Sequence, residues 1–244
     1  MSAMTLAEML TELYVHENVG AFERLYLHRA IRRCRGELIF GRDAIRQLVL
    51  ADLAQFSGWR FQINASTEGF ADVEWLSPDN VSVRRHYWTK LENGRISADT
   101  VITRAPNQEP MRCHHQPLGE LDSGKGQVGP ADLLGFSVTA QSLHRIWNGR
   151  SVSTLRDLYD GNAHWSGPSL EGGVTELKNW WLAQFLAFPQ SHIIFERELS
   201  FENNLALLWH WARIDTTGHR NRITGSMCLC LDGGKISQDV TLTD

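Results

Sequence analysis

The chain says nearly the same thing twice, and that limits its possible folds more than any other feature. Near the end of each half stands a strand-like phrase, Gly94-Arg95-Ile96-Ser97-Ala98-Asp99-Thr100 and Gly234-Lys235-Ile236-Ser237-Gln238-Asp239-Val240. Earlier in each half, Phe22-Glu23-Arg24-Leu25-Tyr26 is matched by Leu155-Arg156-Asp157-Leu158-Tyr159. Two anchors in the same order indicate a duplicated domain, and a repeat has to be settled before any other reading of the fold.

The bulk properties agree. A length of 244 residues suits two domains of ordinary size, and a hydrophobic share of 42% is enough for two cores. A net charge of -4 gives no electrostatic footprint for nucleic acid. The nearest basic run, Arg29, Arg32, Arg33 and Arg35, reads as a solvated or salt-bridged stretch. The cysteines Cys34, Cys113, Cys228 and Cys230 contain no CxxC pair. Cys228 and Cys230 alternate along an expected strand and pack as small apolar groups. Met1 to Leu13 carries Glu8 and Glu12 and lacks a basic start followed by an apolar block, which argues against a signal peptide. No apolar run approaches a membrane span. The expectation is a soluble, cytoplasmic, reduced protein with no nucleic-acid or membrane partner.

In the second half, Leu143, Ile146 and Trp147 have helical spacing, and Leu155, Leu158 and Tyr159 continue the period. Asn162 to Gly173 reads as loop with a short extended piece, His164-Trp165-Ser166. Val174, Leu177, Trp181, Phe185 and Phe188 mark a longer helix, ended by Pro189. The period then changes to two, predicting strands at 192–199, 205–214, 223–231 and 236–242. The first half repeats this order: a helix from Leu6 to Leu13 continued by Phe22, Leu25 and Tyr26, a second over Ala44 to Phe56, then strands at 60–68, 81–90 and 96–103. Residues 105–132, rich in Pro and Gly, read as a linker. Helices followed by antiparallel strands, twice, predict an α+β chain. Strand Leu208 to Ile214 carries apolar groups on both faces, so helices should cover one face and a second sheet the other. The first half would supply that sheet.

The order of elements resembles the NTF2-like superfamily, and the second half looks like its SnoaL-like branch. The residues that carry the likeness are Ile146-Trp147-Asn148-Gly149, Leu155-Arg156-Asp157-Leu158-Tyr159, His164-Trp165-Ser166-Gly167-Pro168, Gly173, Phe188-Pro189 and Asp232-Gly233-Gly234-Lys235-Ile236. The resemblance implies cone-shaped domains in which a curved sheet wraps a helix around an apolar cavity. It divides the chain into a degenerate NTF2-like domain at 1–105, a linker at 106–132 and a SnoaL-like domain at 133–244. Relatives often pair sheet against sheet, so two copies in one chain imply an intramolecular pseudo-dimer that stays a monomer in solution. The chemistry implied is cofactor-free acid/base work on a small apolar or aromatic molecule: polyketide cyclisation, isomerisation or dehydration. The other outcome within the same superfamily is a non-catalytic ligand-binding or assembly module.

Candidate residues follow. A proton-transfer site needs a titratable group sunk among apolar walls, because burial moves its pKa toward the working pH. Asp239 is the counterpart of the late-strand acid/base aspartate implied by the resemblance. Strict alternation groups it with Ser237 and Thr241, opposite Ile236, Val240 and Leu242, so it points away from a cavity lined by the apolar set. His210 shares a strand face with Leu208, Ala212 and Ile214 and is expected to look into the cavity. His164 and Trp165 would line its mouth, and Trp165, Trp181 and Trp211 its walls. SnoaL-like proteins tend to carry Gly-Thr-His-x-Gly after the central strand, and His219 is the histidine of the matching stretch, Thr216-Thr217-Gly218-His219-Arg220-Asn221. Cys113-His114-His115 lacks a suitably spaced fourth ligand, so no metal site is expected. Gly119 to Gly126 is a P-loop one residue short and without its hydroxyl, and no cofactor is expected.

Overall fold

The computed structural model describes residues 4–104 and 133–244. They fall into two compact units, residues 4–104 and residues 133–243. The linker, the Cys113-His114-His115 fragment and the Gly119 to Gly126 stretch lie outside the described residues.

The first unit begins with α1 (Leu6–Tyr14). Thr5 caps it: the Glu8 amide donates to Thr5 Oγ1 at 3.2 Å, and the Thr5 amide donates to Glu8 Oε2 at 2.7 Å. Such reciprocal capping satisfies two otherwise orphaned donors, and the cap contributes about 1 kcal/mol. A 3-10 turn at Val19–Ala21 and the one-turn α2 (Phe22–Leu25) lead directly into β1 (Tyr26–Cys34) and β2 (Glu37–Phe40). Then come α3 (Arg42–Gln55), β3 (Arg60–Thr67), β4 (Phe70–Leu76), β5 (Ser82–Glu92) and β6 (Arg95–Arg104). The second unit repeats the plan: α4 (Val138–Asn148), α5 (Leu155–Leu158), β7 (Tyr159–Ser166), β8 (Glu171–Gly172), α6 (Val174–Ala187), β9 (Gln190–Phe201), β10 (Asn204–Ile214), β11 (Arg220–Asp232) and β12 (Lys235–Thr243).

The two sheets have the same order, β2-β1-β6-β5-β4-β3 and β8-β7-β12-β11-β10-β9. Among the described residues, only β1–β6 and β7–β12 pair in parallel. The chain is therefore α+β and built from two tandem units of one repeated architecture. Tyr26 and Tyr159, expected to continue helices, instead open strands. Two-residue turns at Asn93-Gly94 and Gly233-Gly234, all at positive φ, close the last hairpin of each unit. Such turns match the twist of the paired strands.

Those hairpins explain the repeated phrase. In β6, Ile96 pairs with Leu91 and Ala98 with Lys90, which leaves Ser97 as an extra residue. In β12, Ile236 pairs with Leu231 and Gln238 with Cys230, which leaves Ser237 extra. Each bulge serine donates its hydroxyl to the carbonyl across the gap, Ser97 to Lys90 at 3.1 Å and Ser237 to Cys230 at 3.2 Å. A bulge shifts the alternation of every later residue by one. Ile96 and Asp99, three apart, therefore share a face, as do Ile236 and Asp239.

The helices cover one face of each sheet. In the first unit the core joins Leu6, Met9, Leu10 and Leu13 of α1 and Ile45 and Val49 of α3 to Val73, Trp75 and Tyr87 of the sheet. In the second, Leu143, Ile146 and Trp147 of α4 and Leu177, Trp181 and Phe185 of α6 meet Leu207, Trp209, Trp211 and Met227. Strand β10 is buried on both faces: Ala206, Leu208 and His210 lie opposite the set that faces the helices.

Candidate active site

Among the described residues, the helix-covered interior of the second unit holds one buried carboxylic acid. Asp239 lies beside Trp165 on the neighbouring β7 and beside Leu229 on β11. The expectation that it points away from the interior is corrected, because the Ser237 bulge turns it inward. It is fully buried and accepts hydrogen bonds from Tyr159 Oη at 2.6 Å and Thr241 Oγ1 at 2.8 Å. Burial raises its pKa to about 6, against the lowering effect of the two hydroxyls. The same burial, with Asp239 as neighbour, holds the Tyr159 phenol well above its ordinary range, so it remains a donor. No basic side chain neighbours this pair among the described residues.

The first unit has the same station occupied differently. Asp99 lies beside Arg32 on β1. Arg32 Nε donates to Asp99 Oδ1 at 3.1 Å, and Nη2 donates to Oδ2 at 2.6 Å and to Tyr26 Oη at 2.7 Å. Tyr26 Oη donates to Asp99 at 2.9 Å. Burial opposes the charge on Arg32, yet Asp99 and Tyr26 outweigh it and raise its pKa further. The basic run read as solvated or salt-bridged divides: Arg29 meets Glu92 at the surface, while Arg32 is a buried ion-pair partner.

Aromatic rings fill the core that Trp165 shares. Trp147 stacks on Trp181 with centroids 5.0 Å apart, and Trp181 meets Trp180 edge-on at 4.8 Å. Trp180 reaches Trp165 at 5.7 Å, and Trp181 reaches Trp211 at 5.6 Å. The expected wall residues Trp165, Trp181 and Trp211 are thus brought together, joined by Trp147, Trp180 and Trp209, which sequence reasoning did not select. The indole N–H groups of Trp147, Trp165, Trp181 and Trp209 are buried without an acceptor among the described residues. Each unmet buried donor costs about 1–3 kcal/mol. The interior is therefore rich in donors and poor in acceptors.

The three histidines stand elsewhere. His210 lies on the face of β10 opposite Trp209 and Trp211, so the expectation that it looks into the helix-covered interior is corrected. Its Nε2 meets Glu196, the extra residue of a bulge in β9, and its Nδ1 lies 3.2 Å from Thr224 Oγ1. His164 is exposed, its side chain turned opposite to that of Trp165. His219 is exposed in the turn between β10 and β11, where its amide donates to Asp215 at 2.9 Å. Neither joins Asp239.

No family model matches the chain, and no curated protein matches it. Solved structures similar to it include IdmH from Streptomyces antibioticus, provisionally a polyketide cyclase, at 16% identity over 43% of this chain and 89% of that one, TM-score 0.39. A SnoaL-like protein from Jannaschia sp. CCS1, also provisionally a polyketide cyclase, aligns at 12% identity over 43% and 85%, TM-score 0.38. An NTF2-like protein of unknown function from Exiguobacterium sp. 255-15 aligns at 14% identity over 43% and 98%, TM-score 0.39. Each covers one unit's length of this chain. No helix among the described residues is long and apolar enough to cross a membrane.

Proposed function

We propose that the second unit binds a small, flat apolar or aromatic molecule in its helix-covered interior and moves a proton on it without a cofactor, as an isomerase, cyclase or hydro-lyase. The observation that carries this reading is Asp239: a fully buried carboxyl, hydrogen-bonded to Tyr159, with a pKa of about 6. A carboxyl poised there can accept a proton from an acidic carbon and return it elsewhere near neutral pH. Tyr159 would hold the carboxylate in place with its one hydroxyl hydrogen. The unmet indole donors suit a molecule bearing carbonyl or hydroxyl oxygens, and Trp165, Trp181 and Trp211 suit its flat faces. One chain acts alone in this reading, and light scattering should return 27.7 kDa.

His210, tied to Glu196 on the other face, is assigned no proton on this side of the sheet. Turnover of aryl ketones and cyclisable polyketones, measured with Asp239→Asn and His210→Ala, tests the assignment. Activity should fall at least about a hundredfold in Asp239→Asn, the scale of general acid/base catalysis, and survive in His210→Ala. Full activity in Asp239→Asn removes the assignment.

The packing of the tryptophans favours a second reading, a non-catalytic module whose interior is its own core. Under it, quenching of tryptophan fluorescence by such ligands would be absent or would occur without turnover.

A further inference from the structure

The interior of the first unit suits a different occupant. Opposite the shared aspartate stands Arg32 rather than Trp165. Arg85 lies between Val73 and Thr103, while Gly225 takes that station between Trp209 and Thr243. Tyr87 pairs with Val101, and Met227 pairs with Thr241. Two guanidiniums and a phenol therefore replace a tryptophan, a glycine and a methionine.

These groups connect. Arg85 donates to Asp52 through Nη1 at 2.5 Å and Nη2 at 2.8 Å. Tyr87 Oη donates to Tyr14 Oη at 3.0 Å, and Tyr14 Oη donates to Asp52 at a long 3.4 Å. Burial holds both phenols protonated. The Arg32 guanidinium carbon lies 5.9 Å from the centre of the Tyr87 ring, which links the Asp99 pair to the chain. Aromatic walls enclose the cluster: Trp75 and Phe56 lie 4.9 and 5.3 Å from the Arg85 guanidinium carbon, and Phe61 stacks on Tyr14 at 5.5 Å.

The cluster has donors to spare. Asp52 is matched by Arg85 and Asp99 by Arg32, so both carboxylates are neutralised. Arg85 is only 4% exposed, yet its Nε hydrogen has no acceptor among the described residues. Tyr14 holds Asp52 at the limit of hydrogen bonding and can turn to a better acceptor. An acceptor-rich group of modest size is what this constellation lacks. Guanidinium and carboxylate are complementary in shape and charge. The Asp52 side chain is 14% exposed, which places this end of the cluster nearest to solvent.

We infer that the first unit is a separate binding site for a small, flat carboxylate, whose oxygens take the hydrogens of Arg85 Nε and Tyr14 Oη at the edge of the packed rings of Phe56, Phe61 and Trp75. The site shares no residue with the acid/base pair of the second unit and stands whether or not that unit is catalytic.

Isothermal titration of the full chain with benzoate and 1-naphthoate, and with the corresponding amides, tests it. One of the carboxylates should bind saturably and at least about tenfold more tightly than its amide, the scale of one charge-assisted hydrogen bond. Arg85→Met and Tyr14→Phe should each weaken it about tenfold, and Asp239→Asn should leave it unchanged. If Arg85→Met does not fold, Tyr14→Phe decides alone, because it removes one oxygen and keeps the ring. Failure of both carboxylates to bind, equal affinity for the amide, or retained affinity in Tyr14→Phe would overturn the site. A loss of binding in Asp239→Asn would move the ligand to the second unit and overturn it equally.

Discussion

Arg32 and Trp165 occupy the same station of the repeated fold, each on the strand that pairs in parallel with the last one, each beside its buried aspartate. That one difference decides what the aspartate is. Beside Arg32, Asp99 is half of a buried ion pair; beside Trp165, Asp239 is a lone acid whose pKa burial has pushed up to about 6.

Asp239 should make stability fall with pH. Its ordinary pKa is 3.8 and its folded value about 6. Between those values the folded chain keeps a proton that the unfolded chain has released. The stability this provides is fully present below about pH 4 and is lost as pH rises through 6. The step amounts to about 3 kcal/mol at 1.36 kcal/mol per pKa unit. Urea unfolding of Asp239→Asn and of the unaltered chain from pH 4 to 8 should diverge by that amount in the variant's favour. Parallel curves would contradict it.

Giving the second unit the guanidinium of the first should silence this titration. Trp165→Arg places a cation where Arg32 stands, and a paired carboxylate ionises more readily. Carboxyl carbon NMR should show Asp239 titrating near 6 in the unaltered chain and well below that in the variant.

The ion pair in the first unit should be costly to break from one side. Arg32 and Asp99 have side chains 3% and 0% exposed. Arg32→Met leaves a buried charge without its partner, which costs about 3–5 kcal/mol. Adding Asp99→Asn should restore part of the loss, and the urea midpoints of the single and double variants report both effects.

Gly225 should tolerate no side chain. A Cβ built there would sit 2.1 Å from the Trp209 indole, a ring fixed in the core. Gly225→Ala should cost about 1–3 kcal/mol, the usual effect of overpacking. Trp209 fluorescence and thermal unfolding measure it.

The repeat, the α+β order and the long helices were legible because size and period declare them. Strand β1 and the start of β7 were not, since each follows a four-residue helix and Tyr26 and Tyr159 keep the helical spacing across the junction; the end of β7 was read as the extended piece His164-Trp165-Ser166. The inward face of Asp239 was hidden by a bulge, which leaves no mark in composition. His210 was misplaced because β10 buries large groups on both sides, so alternation cannot say which side meets the helices. Trp165, Trp181 and Trp211 were visible by bulk alone. Arg32 was taken for part of a charged stretch; aligning Tyr26 with Tyr159 would have set it upon Trp165 and exposed its role. Arg85 follows Arg84 and precedes His86, a run that reads as surface until its strand is seen to be buried.

The serine that interrupts β12 makes the acid's presence a matter of counting. Were Ser237 drawn into the ladder as a paired residue, every later side chain would change face, with Val240 and Leu242 inside and the carboxyl outside. Gain or loss of chemistry in such a fold can thus turn on whether one residue is left out of the pairing.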